Sequence, residues 1–172
     1  MNFGFHLMAC LVLLVLQTTL FSHLVPPGPL YDPLIPFVVF LATSRPFAEG
    51  LSALLLAGFL ADGISAAPFG LFGLTYLWAY LGVWWGGRFF RREHGLLPAL
   101  GVAGGILMEH LLFLAISWEL GLGRLLLRGW PGLFLRLAAG MVTGPLVVGV
   151  LRGLHAVFRR WLDPGPEERT SA

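Results

Sequence analysis

The sequence predicts an all-α, polytopic membrane protein: six transmembrane helices over residues 1–162, then a short, polar, disordered cytoplasmic tail over 163–172. Three observations carry this expectation. Hydrophobic residues make up 57% of the 172 residues and charged residues only 12%, about half the charge of an ordinary soluble domain. Mean hydropathy is +0.82, and several uncharged runs approach the ~20 residues a helix needs to cross a bilayer core of ~30 Å. All eleven basic residues are arginines, and they are spread unevenly along the chain, which is the kind of bias that orients membrane proteins.

The first span is Phe3 to Phe21, about 28 Å long as a helix. Gln17, Thr18, Thr19 and His23 lie toward its far end. The single cysteine, Cys10, sits inside this run, so no intrachain disulfide exists. Leu7-Met8-Ala9-Cys10 is a faint lipoprotein-like pattern, but a basic leader is missing and the apolar run continues past it. Val25-Pro26-Pro27-Gly28-Pro29 breaks the helix, because prolines remove donors and fix the backbone. Asp32-Pro33 then reads as an N-cap and first-turn proline. The helix it opens runs to about Thr43, short for a span, and so either crosses a thin part of the protein or is re-entrant. Ser44-Arg45-Pro46 ends it.

A third helix is predicted from Phe47, with Glu49 in its first turn, to Asp62. Asp62 has two readings: a capping carboxylate at the turn, or a costly membrane charge that needs a partner. Pro68 is expected to open the fourth helix, and Phe69 to Gly87 is nineteen residues without a charge. Trp84 and Trp85 beside Arg88, Arg91 and Arg92 read as an interfacial belt. Pro98 opens the fifth helix, to about Trp118. Gly101, Gly105 and Glu109 are spaced by four and share one face of it. Glu109 lies about 16 Å along that helix, near the bilayer midplane, either as a functional carboxylate or bonded across to a neighbour. Residues 118–131 are too short and too charged to span, and suit a helix lying on the surface. The last span, about Leu133 to Phe158, carries Arg136 near its start, Gly140 and Gly144 at small-xxx-small spacing, and Pro145 inside.

Six crossings with a cytoplasmic N-terminus put eight arginines inside, including Arg88, Arg91, Arg92, Arg159 and Arg160, against three outside. The inner clusters would attract anionic lipid. This topology brings Asp62 and Arg136 to similar depth, and an Asp62–Arg136 pair joining the third and sixth helices is expected. Motifs for catalysis, metal binding or phosphate cradling are missing, so neither enzymatic activity nor a cofactor is expected. Glu109 and His110 are adjacent and diverge around the helix, so they cannot hold one metal together. His94 and His155 flank arginine clusters and are expected to be solvated. Nothing resembles a nucleic-acid surface.

The chain resembles the bacterial rod-shape-determining MreD family. The resemblance is carried by Leu16-Gln17-Thr18-Thr19-Leu20, by Glu49-Gly50-Leu51, by Gly58-Phe59-Leu60-Ala61-Asp62 followed by Phe69-Gly70-Leu71 and Tyr76, and by Leu107-Met108-Glu109. It implies a noncatalytic inner-membrane component of the machinery that builds the lateral cell wall. It also implies MreC as a partner through its membrane helix, and MreB, RodA and RodA's penicillin-binding partner in the larger complex. The implied fold is similar to the six-helix substrate-binding subunits of energy-coupling-factor transporters. A groove along Gly101 and Gly105 is the expected seat for the MreC helix. The proline-rich first loop and the short second helix depart from the family pattern. An alternative reading is a vitamin-binding transporter subunit, although the Ala-x-x-x-Ala pattern typical of its first helix occurs here in the third, at Ala53, Ala57 and Ala61.

Overall fold

The computed structural model describes residues 3–21, 32–65, 68–88, 96–119 and 130–162. They form six helices and no strand. The expected proline linker, most of the expected surface helix and the C-terminal tail lie outside the described residues. Helix α1 is Phe3–Val15, prolonged by a π-helical stretch over Leu16–Phe21. There the hydroxyls of Thr18 and Thr19 donate to the carbonyls of Leu14 and Val15 at 3.0 and 2.5 Å, giving the backbone an alternative partner in the turn where the helix widens. The others are α2 (Leu34–Ser44), α3 (Phe47–Ile64), α4 (Leu71–Gly86), α5 (Leu96–Glu119) and α6 (Trp130–Leu162). Three of these are long and apolar enough to cross a membrane: residues 47–64, 97–119 and 132–158.

Successive helices alternate in direction, as contacts at the two ends show. At one end the start of α3 meets the end of α4: Tyr80 donates to the Phe47 carbonyl at 3.0 Å, and the Phe47 and Trp84 rings lie 4.9 Å apart. Arg152 of α6 reaches Ser44 and Thr43 of α2 at the same end, at 3.2 and 3.0 Å. At the opposite end Phe72 of α4 meets Phe113 of α5, with ring centroids 6.0 Å apart. Arg45, Arg88 and Arg152 therefore share one end of the bundle.

The short α2 is its centre. Every residue from Leu34 to Ala42 is buried, packed by α4, α6 and α5 and, to a lesser extent, by α3 and α1. A helix that is apolar all round has no solvent face to spare, and this one at ~16 Å can be enclosed completely. Its start follows the sequence expectation. Asp32 Oδ1 accepts the Leu34 N–H at 2.9 Å, and Pro33 already has helical φ and ψ, the arrangement in which a cap satisfies an orphan donor of the first turn.

The fourth helix begins later than expected. Pro68 lies in a turn, its carbonyl accepting the Leu71 N–H at 3.2 Å, and Gly70 at φ 96° is the residue that precedes α4. That left-handed conformation suits glycine because a Cβ would clash with the backbone. α6 starts three residues before the expected Leu133 and runs through Pro145 to Leu162.

Candidate functional site

Polar chemistry in this apolar bundle gathers at the head of α2. Asp32 is 7% exposed, and a carboxylate withdrawn from water to that extent persists only with hydrogen-bond donors. Two are supplied: the Leu34 N–H, and the Tyr76 hydroxyl of α4, which donates to Oδ2. Tyr76 is fully buried, and its own hydroxyl finds its acceptor in Asp32. Glu109 of α5 lies within electrostatic reach of both Asp32 and Arg136 of α6, and Arg136 also acts on His110. Asp32 at the head of α2 and Tyr76 of α4 thus form a hydrogen-bonded pair, on which Glu109 bears only at electrostatic range.

Asp62 belongs elsewhere, and this corrects the expected Asp62–Arg136 pair. Its two carboxylate oxygens accept the backbone N–H groups of Phe72 and Gly73, at 2.9 and 3.2 Å. A carboxylate there satisfies two orphan donors of α4 and complements the positive end of its dipole. Arg136 acts instead on Glu109. The capping reading of Asp62 is the one the structure bears out, with the cap placed across the turn on the next helix. Asp62→Ala leaves Phe72 and Gly73 without acceptors, and is expected to cost about 1–2 kcal/mol. Asp62→Asn keeps one acceptor oxygen and falls between. Thermal unfolding in detergent measures both; equal melting of wild type and Asp62→Ala would contradict the cap.

The glycines singled out in the sequence serve contacts within the chain. A Cβ on Gly101 would lie 2.7 Å from Val83 Cγ2 of α4 and 3.3 Å from Val39 of α2. One on Gly105 would lie 2.5 Å from Ile35 Cγ2 of α2, and one on Gly144 2.7 Å from Val102 Cγ2 of α5. Gly140 is buried in α6. Gly101 and Gly105 thus bring α5 close to α2 and α4, and Gly101, Gly104 and Gly105 also line a groove of about 310 Å³ between α4 and α5, with Trp78, Gly82 and Gly86 on its other wall. Gly105→Leu is expected to lose at least 2 kcal/mol by overpacking. Gly104→Leu, where a Cβ meets nothing within 4 Å, is expected to melt within about 2 °C of wild type. Similar losses for the two would contradict this packing.

At the arginine-bearing end, Arg88 is exposed and its guanidinium carbon sits 4.3 Å from the Trp84 ring centroid, a cation–π contact suited to an interface. Arg91 and Arg92 lie outside the described residues. Arg159 and Arg160 lie in the last turns of α6, with their side chains outside the description. His155, expected to be solvated, is instead half-buried: its ring packs edge-on to Phe5 at 4.9 Å and stacks with the buried His6 at 6.1 Å. Among the described residues, no group of three His, Cys, Asp or Glu is placed to hold a metal ion. Sequence reasoning found Asp32 only as a cap and Tyr76 only as part of a motif. Their separation of 44 positions carries no spacing signal that pairs them.

Compared with family models, with curated proteins and with solved structures, the chain matches none.

Proposed function

We propose that this protein is a noncatalytic, multi-pass component of the bacterial cytoplasmic membrane that works in the cell-elongation machinery in the manner of the MreD family. In this reading the chain crosses the membrane six times with both termini cytoplasmic. It binds MreC within the bilayer and helps organise lateral peptidoglycan synthesis alongside MreB, RodA and RodA's penicillin-binding partner. The observation that supports it is that three residues carrying the resemblance, Gly58, Asp62 and Tyr76, each tie their helix to a neighbouring one. Gly58 lies against Gly73, Asp62 caps the first turn of the helix that holds Gly73, and Tyr76, one turn further on, holds Asp32. A motif whose members support one another fixes how three helices meet, as expected of a scaffold whose role is to present a membrane surface.

The test is co-purification in mild detergent with tagged MreC from the same cells. MreC retained with the chain, and lost when Asp32 and Tyr76 are replaced together by Ala and Phe, supports the reading. A chain that leaves MreC behind in every mild detergent contradicts it. The buried Asp32–Tyr76 pair, with Glu109 half-buried within electrostatic reach of it, favours a second reading, the binding subunit of a small-molecule transporter, because a few polar groups inside an apolar bundle are what a polar solute needs. A small molecule co-purifying in stoichiometric amount would favour that reading over the first.

A further inference from the structure

α1 and α6 meet at one end, where Phe5 packs against His155 and Phe158 at ring distances of 4.9 and 5.3 Å. The groove left between residues 5–16 of α1 and 146–158 of α6 has a volume of about 740 Å³ and an apolar lining throughout. Its α6 wall rises about 18 Å, close to the ~15 Å of a single leaflet. A transmembrane partner helix crosses both leaflets and would leave half its length outside the groove. One lipid chain fits within it.

Two arginines directly follow the last residue of the groove's lining along α6. α6 passes directly from Phe158 to Arg159 and Arg160 and stays helical through both. Arg152 and Arg45 lie at the same end of the bundle, Arg152 tied to α2 through Ser44 and Thr43. Basic residues at a membrane surface attract anionic headgroups. We propose that the α1–α6 groove seats one acyl chain of an anionic phospholipid, with the lipid phosphate at the Arg159–Arg160 turn. The inference rests on the membrane placement proposed above and is independent of any role in cell elongation.

The protein is delipidated in detergent and examined by native mass spectrometry with added palmitoyl-oleoyl phosphatidylglycerol, or with phosphatidylcholine of the same chains. One phosphatidylglycerol adduct is expected, held about tenfold or more tighter than phosphatidylcholine. Val150→Trp, which fills the groove from an exposed wall position, removes the adduct. Ala9→Phe does the same from the opposite wall, so the test survives if one variant fails to fold. Arg159→Gln with Arg160→Gln brings phosphatidylglycerol down to the phosphatidylcholine level while leaving the latter unchanged. Equal affinity for the two lipids in the unaltered protein means a bulk lipid shell only and overturns the proposal. So does an adduct that survives both groove-filling variants, or a dimer mass that disappears with them, which would assign the groove to a second copy of the chain.

Discussion

Gly58→Leu is expected to separate α3 from α4, with a loss of at least 3 kcal/mol and a fall in melting temperature of roughly 6–12 °C. The reason is what surrounds the missing side chain. A Cβ at Gly58 would lie 2.7 Å from Gly73 Cα and 3.3 Å from its nitrogen. Both are backbone atoms, and neither can rotate away. The Gly73 N–H is in addition held by Asp62, so relief requires α4 to move as a body. Gly63→Leu is the matched control, one turn along the same helix, where a Cβ meets nothing within 4 Å. It is expected to change stability by less than 1 kcal/mol. Cys10 offers a built-in reporter: this free thiol is 1% exposed, so a thiol-reactive dye brightens only as the bundle opens. Equal unfolding of the two variants would show that the α3–α4 approach is not close.

Asp32→Ala is the second large effect. It leaves the Leu34 N–H and the Tyr76 hydroxyl without their acceptor, both inside the bundle. Loss of a cap costs about 1 kcal/mol, and a stranded buried donor about 1–3 more, so about 3 kcal/mol is expected in all. Asp32→Asn keeps an oxygen for Leu34 and an amide beside Tyr76, and should recover at least half. Tyr76→Phe removes a single donor and should cost about 1–2 kcal/mol. Combined with Asp32→Ala it should add little further, because the partner is already gone. Full additivity of the two substitutions would mean that the hydroxyl and the carboxylate do not interact.

Much of the fold is legible in the sequence because long apolar runs broken by prolines leave few options. Apolar run length, prolines and arginines placed all six helices within a few residues, and Asp32-Pro33 marked the start of α2. What misled was local. Pro68 was expected at a helix start because proline suits a first turn, yet Gly70 in the left-handed region redirects the chain two residues later. The four-residue spacing of Gly101 and Gly105 signals close helix approach, and α2 and α4 of the same chain are neighbours that meet it. The pairing of Asp62 with Arg136 rested on equal depth alone. Depth says nothing of rotation about the helix axis, and the nearest donors to Asp62 were backbone amides, which a search among charged side chains overlooks. The shortness of α2 read as a defect of a span, when its unbroken apolarity was the signature of a helix enclosed on every side.

The central claim is a bundle of alternating helices set in the membrane with its arginine-bearing end in the cytoplasm. Single-cysteine labelling tests it most directly, in a Cys10→Ser background carrying either Arg88→Cys or Glu119→Cys, both exposed and at opposite ends. With a membrane-impermeant maleimide on intact spheroplasts, position 119 should label at once and position 88 only after lysis. Label at position 88 in intact spheroplasts, or identical behaviour of the two positions, would contradict the account.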